Sequence, residues 1–177
     1  VTGETCADLA DFPLTNFGAV GANFNGTPVV CGGYSSGNLQ ECYKFTNAGW
    51  QEFASMKEIR LHAAGVMHKN KFHVFGGYGI YISQKTTELI SVDGGVEDGP
   101  ELPEAVYQHA ITSINSTVSI LSGGWTNANQ YSTQTWYFNH ETNVFSSGPS
   151  LLIGRHDHSS ATIVDKVTAA KIPIVTG

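Results

Sequence analysis

An all-β fold is what this sequence predicts, and three observations carry that expectation. Glycine is abundant, with 20 residues, while only 14% of positions are charged, a balance that suits short strands and tight turns better than salt-bridged surface helices. One pattern of apolar runs and turn residues recurs with a period of 44 to 49 residues, the mark of a repeat architecture. Within each period the runs are 4 to 7 residues long and are bounded by turn formers, as strands are. With 177 residues, 41% of them hydrophobic, the chain can bury a core of ordinary size.

The elements of one period follow in order. The first strand opens at His62 (HAAGV), His109 (HAITS) and His158 (HSSAT), and Gly18 holds that place in the first copy. The second strand is an apolar run closing on a glycine pair: VVCGG at 29–33, HVFGG at 73–77 and SILSGG at 119–124. The pairs are Gly32 with Gly33, Gly76 with Gly77, and Gly123 with Gly124, and their first members lie 44 and 47 residues apart. The third and fourth strands carry apolar or aromatic positions seven residues apart: Tyr43 with Trp50, Leu89 with Val96, and Phe138 with Phe145. A turn then ends the period, written DGPELP at 98–103 and SGPSLL at 147–152, with a looser FASMKE at 53–58. Gly and Pro there stop a strand. Four strands per period make an antiparallel sheet that cannot bury both faces alone. Sheets stacked radially as blades can, and they leave only short edges, which is the propeller solution.

These features together resemble the kelch family, whose motif is an apolar run, a glycine pair and two aromatics at fixed spacing. The resemblance covers residues 12–177; Leu89 and Val96 depart from it, standing where aromatics are usual. It implies a kelch-type β-propeller, with the glycine pairs, His62, His109, His158 and Trp50 in structural roles between or within blades. The expected divisions are 17–54 for blade 1, 62–98 for blade 2, 109–147 for blade 3 and 158–177 for the first two strands of blade 4. Residues 1–8 are expected to form the outer strand of a preceding blade. About three and a half blades of a ring that in such proteins closes with about six imply a longer polypeptide, whose remaining blades would be this segment's first partners.

Cys31 ends a second strand and Cys42 begins a third, so the two can face each other across an antiparallel pair as a disulfide; the alternative is a pair of buried thiols. Two sequons, at Asn25 and Asn115, both fall in the turn between first and second strands. Glycosylation there and a disulfide both belong to an oxidising compartment, so the expected location is secreted or extracellular. Cys6 is then left to pair outside the segment.

Catalytic chemistry is not expected. Three histidines on successive innermost strands invite a zinc site, but equivalent positions in a ring make equivalent local contacts, so His62, His109 and His158 read as structural. The run Arg155-His156-Asp157-His158 offers an acid and a base without a nucleophile, and Arg60 stands near His62 in a similar way, so a repeated Arg near a His reads as a polar contact between blades. No metal and no cofactor are predicted. A net charge of −6 provides no basic stripe for nucleic acid or anionic membranes, and no apolar run approaches the ~20 residues of a spanning helix.

Alternating strand direction puts the sequon-bearing turns on one face of the disc. The opposite face gathers the loops after each glycine pair and those leading into each first strand. In the former, 9, 11 and 13 residues separate the second glycine from the first aromatic position, and such variable loops on a fixed scaffold are where binding evolves. Tyr34, Tyr78 and Trp125 each follow a glycine pair, and Tyr81, Tyr107 and Tyr131 lie near the same rim; packing between blades is the other reading of the first three. The expectation is a non-enzymatic extracellular interaction scaffold that binds protein or glycan through this face. The alternatives are a secreted copper enzyme resembling galactose oxidase, with its site completed by further blades, and an intracellular kelch adaptor or actin-associated protein.

Overall fold

A computed structural model of the chain describes residues 10–165, 168 and 170–177; Cys6 and the strand expected at residues 1–8 lie outside them. The described residues are all-β, without a helix. Sheet 1 consists of β1 (Val20–Phe24), β2 (Thr27–Cys31), β3 (Glu41–Thr46) and β4 (Gly49–Ser55). Sheet 2 consists of β5 (Ala64–His68), β6 (Lys71–Phe75), β7 (Thr87–Ser91) and β8 (Val96–Asp98). Next come β9 (Val106–Tyr107), β10 (Ala110–Ser113), β11 (Val118–Ser122), β12 (Trp125–Thr126), β13 (Thr135–Asn139) and β14 (Val144–Ser147). Of these, β10, β11, β13 and β14 form sheet 3, and β9 pairs with β12. A final antiparallel hairpin joins β15 (Ser159–Val164) to β16 (Lys171–Thr176). Neighbouring strands within sheets 1, 2 and 3 are antiparallel throughout.

The first strands pack in succession, β1 on β5, β5 on β10 and β10 on β15, and the core lies between sheets. Val20, Phe24 and Val29 of sheet 1 meet Phe72, Val74 and Ile90 of sheet 2. Phe75 of sheet 2 meets Leu121 and Phe138 of sheet 3. Successive side chains of a strand point to opposite faces, so Phe72 and Val74 face sheet 1 while Phe75 faces sheet 3. That is why β6 is buried on both faces from Phe72 to Phe75, with His73 among the buried residues. The arrangement is compatible with a propeller-like fold. Cys31 lies directly opposite Cys42 in the β2–β3 register, and the two form a disulfide.

The glycine pairs have a specific task. Both members of every pair have positive φ, from 55° to 106°. The second glycine donates its N–H across to the next sheet's entry segment: Gly33 to the Arg60 carbonyl (2.8 Å), Gly77 to Val106 (3.0 Å) and Gly124 to Arg155 (2.8 Å). A Cβ on the first glycine would stand 2.5 Å from that same carbonyl at Gly32 and Gly76, and 2.6 Å from it at Gly123. Gly76→Val is therefore expected to cost about 2–4 kcal/mol, combining backbone strain with displacement of the entry strand. Gly26→Ala is the control, since Gly26 has positive φ but open space around it; it should cost ~1 kcal/mol. Equal losses in the two variants, measured by chemical denaturation, would show that the carbonyl contact does not matter.

The same contacts correct the histidine register. A chain of backbone hydrogen bonds runs from sheet to sheet, His62 N–H to Gly18 (2.7 Å), Gln108 N–H to His62 (2.9 Å) and Asp157 N–H to Gln108 (3.0 Å). All four residues have φ between 50° and 66°, so His62 is the structural counterpart of Gln108 and Asp157. The counterpart of His109 and His158 is Ala63. The cause is an extra residue in sheet 3: Ala64 pairs with Phe75, whereas Ala110 pairs with Ser122, one position more distant.

Arg60 supplies a buried polar link between sheets. It is fully buried and donates to the Glu88 carboxylate (Nε 2.9 Å) and to the carbonyls of Gly76 (2.7 Å) and Thr86 (2.9 Å). Arg155, at the equivalent place, donates to the Gly177 carbonyl at 2.7 Å. Trp50 packs within its own sheet: its ring meets Phe12 at 5.0 Å and Phe45 at 5.2 Å, partners in the segment before β1 and in β3.

Candidate functional site

Antiparallel order places the loops after the glycine pairs and the sheet-to-sheet connections at one end of the molecule, and the tight hairpin turns at the other. At the first end, six aromatic candidates fall into three groups. Tyr34 pairs through its backbone with Phe17, and their rings are 5.3 Å apart. Tyr78, Tyr81, Tyr107 and Trp125 line one cleft of about 270 Å³ where sheets 2 and 3 meet. Tyr131 stacks on His156 at 4.8 Å and meets Trp125 edge-on at 4.7 Å, extending the aromatic surface toward the last hairpin.

Each wall of the cleft is fixed locally. Tyr78 is held by backbone bridges to Leu61 and Ser83, and its ring lies 5.0 Å from that of Tyr107. Tyr107 is paired with Trp125 through β9 and β12. Burial, then the neighbouring Tyr78 and Asp157, push the Tyr107 hydroxyl above its ordinary pKa, which keeps it a hydrogen-bond donor at neutral pH. Asn127 ties the two long loops together, accepting the Ser83 N–H (2.8 Å) and donating to the Ser83 carbonyl (3.2 Å). At the tip, Tyr81 is 89% exposed between exposed Ile80 and Ile82, with φ at 63°. A bulky residue in the left-handed region is uncommon, and such strain concentrates at functional sites.

The first-strand histidines act differently from one another. His158 lies across the sheet boundary from Ser122, with Nε2 and Oγ 2.9 Å apart. His109 is buried with neither ring nitrogen hydrogen-bonded, because Phe75 stands in sheet 2 where Ser122 stands in sheet 3. His62 lines, with Gln108 and Asp157, a small recess of about 200 Å³, in which Gln108 Nε2 donates to Asp157 Oδ2 at 2.7 Å. Among the described residues no three His, Cys, Asp or Glu side chains are grouped as metal ligands.

At the turn end, Asn25 and Asn115 are exposed in the β1–β2 and β10–β11 turns. Asn115 Oδ1 accepts hydrogen bonds from the Thr117 N–H (2.8 Å) and hydroxyl (3.1 Å). A cavity of about 670 Å³ opens between sheet 2 and the β13–β14 turn, lined in part by His68, His73 and His140. The His68 and His140 rings stack at 4.4 Å, His140 Nε2 is 2.8 Å from Ser119 Oγ, and His73 Nε2 is 2.9 Å from Thr87 Oγ1. Sequence reasoning missed this trio, as well as the Asn127 clamp. The one available signal was His73, a polar residue inside an otherwise apolar run. No protein-family model and no curated protein matches the chain.

Proposed function

We propose that the chain is a run of kelch repeats from a secreted β-propeller and that it serves as a non-enzymatic extracellular interaction module, contacting protein or glycan through its loop face. The aromatic cleft between sheets 2 and 3 is the observation that carries this reading. Large amphipathic rings held on a rigid frame provide contact area at small entropic cost, and here they stand at the ends of strands whose opposite ends bear the sequons. The repeated glycine clamp and the equivalent placing of Arg60 and Arg155 support the kelch reading and a ring continued by further blades. The Cys31–Cys42 disulfide and the exposure of Asn25 and Asn115 support an oxidising compartment.

The test compares the two ends of the molecule. The protein is presented to purified extracellular-matrix proteins and immobilised glycans, as wild type, as Tyr81→Gly with Tyr131→Ala, and as Asn25→Gln with Asn115→Gln. A binder lost by about tenfold or more in the loop-face variant and retained in the sequon variant is the expected result. Binding that follows the turn end instead, or one copper per chain by metal analysis of the natural protein, would overturn it.

A further inference from the structure

We infer that the cleft at the junction of sheets 2 and 3 takes one ring of an uncharged saccharide, an inference that rests on the loop face being the binding surface. None of the residues lining the cleft carries a charge, so an acidic or basic ligand would find no ion-pair partner there. The hydroxyls of Tyr78, Tyr81 and Tyr107 and the amide of Asn129 have no hydrogen-bond partner among the described residues. Phenols and a primary amide both donate and accept, and so does every hydroxyl of a sugar. The exposed ring of Tyr81 offers a flat apolar face against which the C–H face of a pyranose can lie.

Size and rigidity point the same way. A volume of about 270 Å³ is just below the ~300 Å³ at which pockets for drug-sized ligands begin, room for one ring with the rest of a chain outside. The Asn127–Ser83 clamp fixes the distance between the two loops, so little ordering remains to be done on binding. A proline-rich peptide also docks against aromatic rings, but it presents only carbonyl acceptors and would leave the accepting half of this lining unused.

The experiment uses the natural protein after enzymatic removal of its own N-glycans. Saturation-transfer NMR and calorimetry are run with chitobiose, lactose and cellobiose, with a sulfated heparin disaccharide and a decaproline peptide alongside. Tyr81→Gly and Asn129→Gly remove the ring and the amide while suiting the left-handed backbone at both positions. The expected result is transfer from aromatic protons to at least one neutral disaccharide, weakened by about tenfold in both variants with the melting temperature unchanged. Absence of neutral-sugar binding at ~10 mM, far above useful affinity, overturns the inference, as does sugar binding indifferent to both variants. Decaproline binding abolished by Tyr81→Gly would overturn it in favour of a peptide while the loop-face reading stands. If nothing that binds responds to either variant, that reading falls as well.

Discussion

Arg60→Ala is expected to destabilise the protein by about 3–5 kcal/mol, the cost of leaving a buried charge without its partner. Glu88 is as buried as Arg60. Its carboxylate is held by the guanidinium at 2.9 Å and by the backbone N–H groups of Lys57 (2.7 Å) and Glu58 (3.3 Å). Removing Arg60 also strips donors from the Gly76 and Thr86 carbonyls, so the loss falls on the junction that joins sheet 1 to sheet 2. Arg60→Met should cost nearly as much as Arg60→Ala, because missing charge and not missing volume is the main deficit. Adding Glu88→Gln to Arg60→Met should recover 1 kcal/mol or more: glutamine is neutral, and its one amide oxygen can still accept the shorter of the two backbone bonds, from the Lys57 N–H. Guanidinium unfolding of the three variants checks this. A single-variant cost under ~1 kcal/mol, the range of exposed ion pairs, would mean that solvent reaches the pair.

Much of this architecture could be read from the sequence because its determinants are local. A glycine pair that needs positive φ, followed by an aromatic, writes the end of a second strand into five or six letters, and the Cys31–Cys42 pairing follows once those strands are placed. The role of Arg60 as a polar link between sheets was legible from its position before His62. The register of that histidine was not. His62 and His109 each stand 14 residues before a first glycine, at Gly76 and Gly123, and the extra residue in the third hairpin hides the one-position offset from anyone counting along the chain. The backbone chain through Gly18, His62, Gln108 and Asp157 and the strand pairing of Ala64 and Ala110 reveal it.

The sites follow the same rule. Tyr78, Tyr107 and Trp125 converge because each sits at a fixed place relative to a glycine pair or an entry segment, so the repeat foretold their neighbourhood. Asn127 meeting Ser83 depends on the conformations of two long loops, and no periodicity encodes that. The His68, His73 and His140 cluster is assembled from β5, β6 and the turn that follows β13, and those residue types have no common spacing. Side chains brought together by packing of one sheet on another leave no mark in either strand alone.

Those buried imidazoles predict a steep loss of stability in mild acid. Burial, followed by the neighbouring His140, His68 and Arg60, lowers His73 to about 3. Burial and then His158 lower His109 to about 3, and burial followed by His68 lowers His140 to about 4 against an opposing Glu141. Each is neutral when folded and titrates near 6.5 when unfolded. Below pH 6.5 the unfolded chain binds protons that the folded chain refuses, so the stability these sites permit is complete above that pH and is lost as pH falls toward 3. For His73 and His109 alone the slope is about 3 kcal/mol per pH unit. Two units of acidification would then remove a large part of the ~5–15 kcal/mol typical of a folded domain. Melting temperature measured from pH 7.5 to 4.5 should fall continuously below pH 6.5, and His109→Phe should make the fall shallower by about 1.4 kcal/mol per unit. The same substitution should raise stability at neutral pH, because it removes two buried ring nitrogens that have no partner. A flat profile down to pH 4.5 would show that these rings are charged or solvated in the folded protein, and that the cavity between sheets 2 and 3 admits water to the histidines that line it.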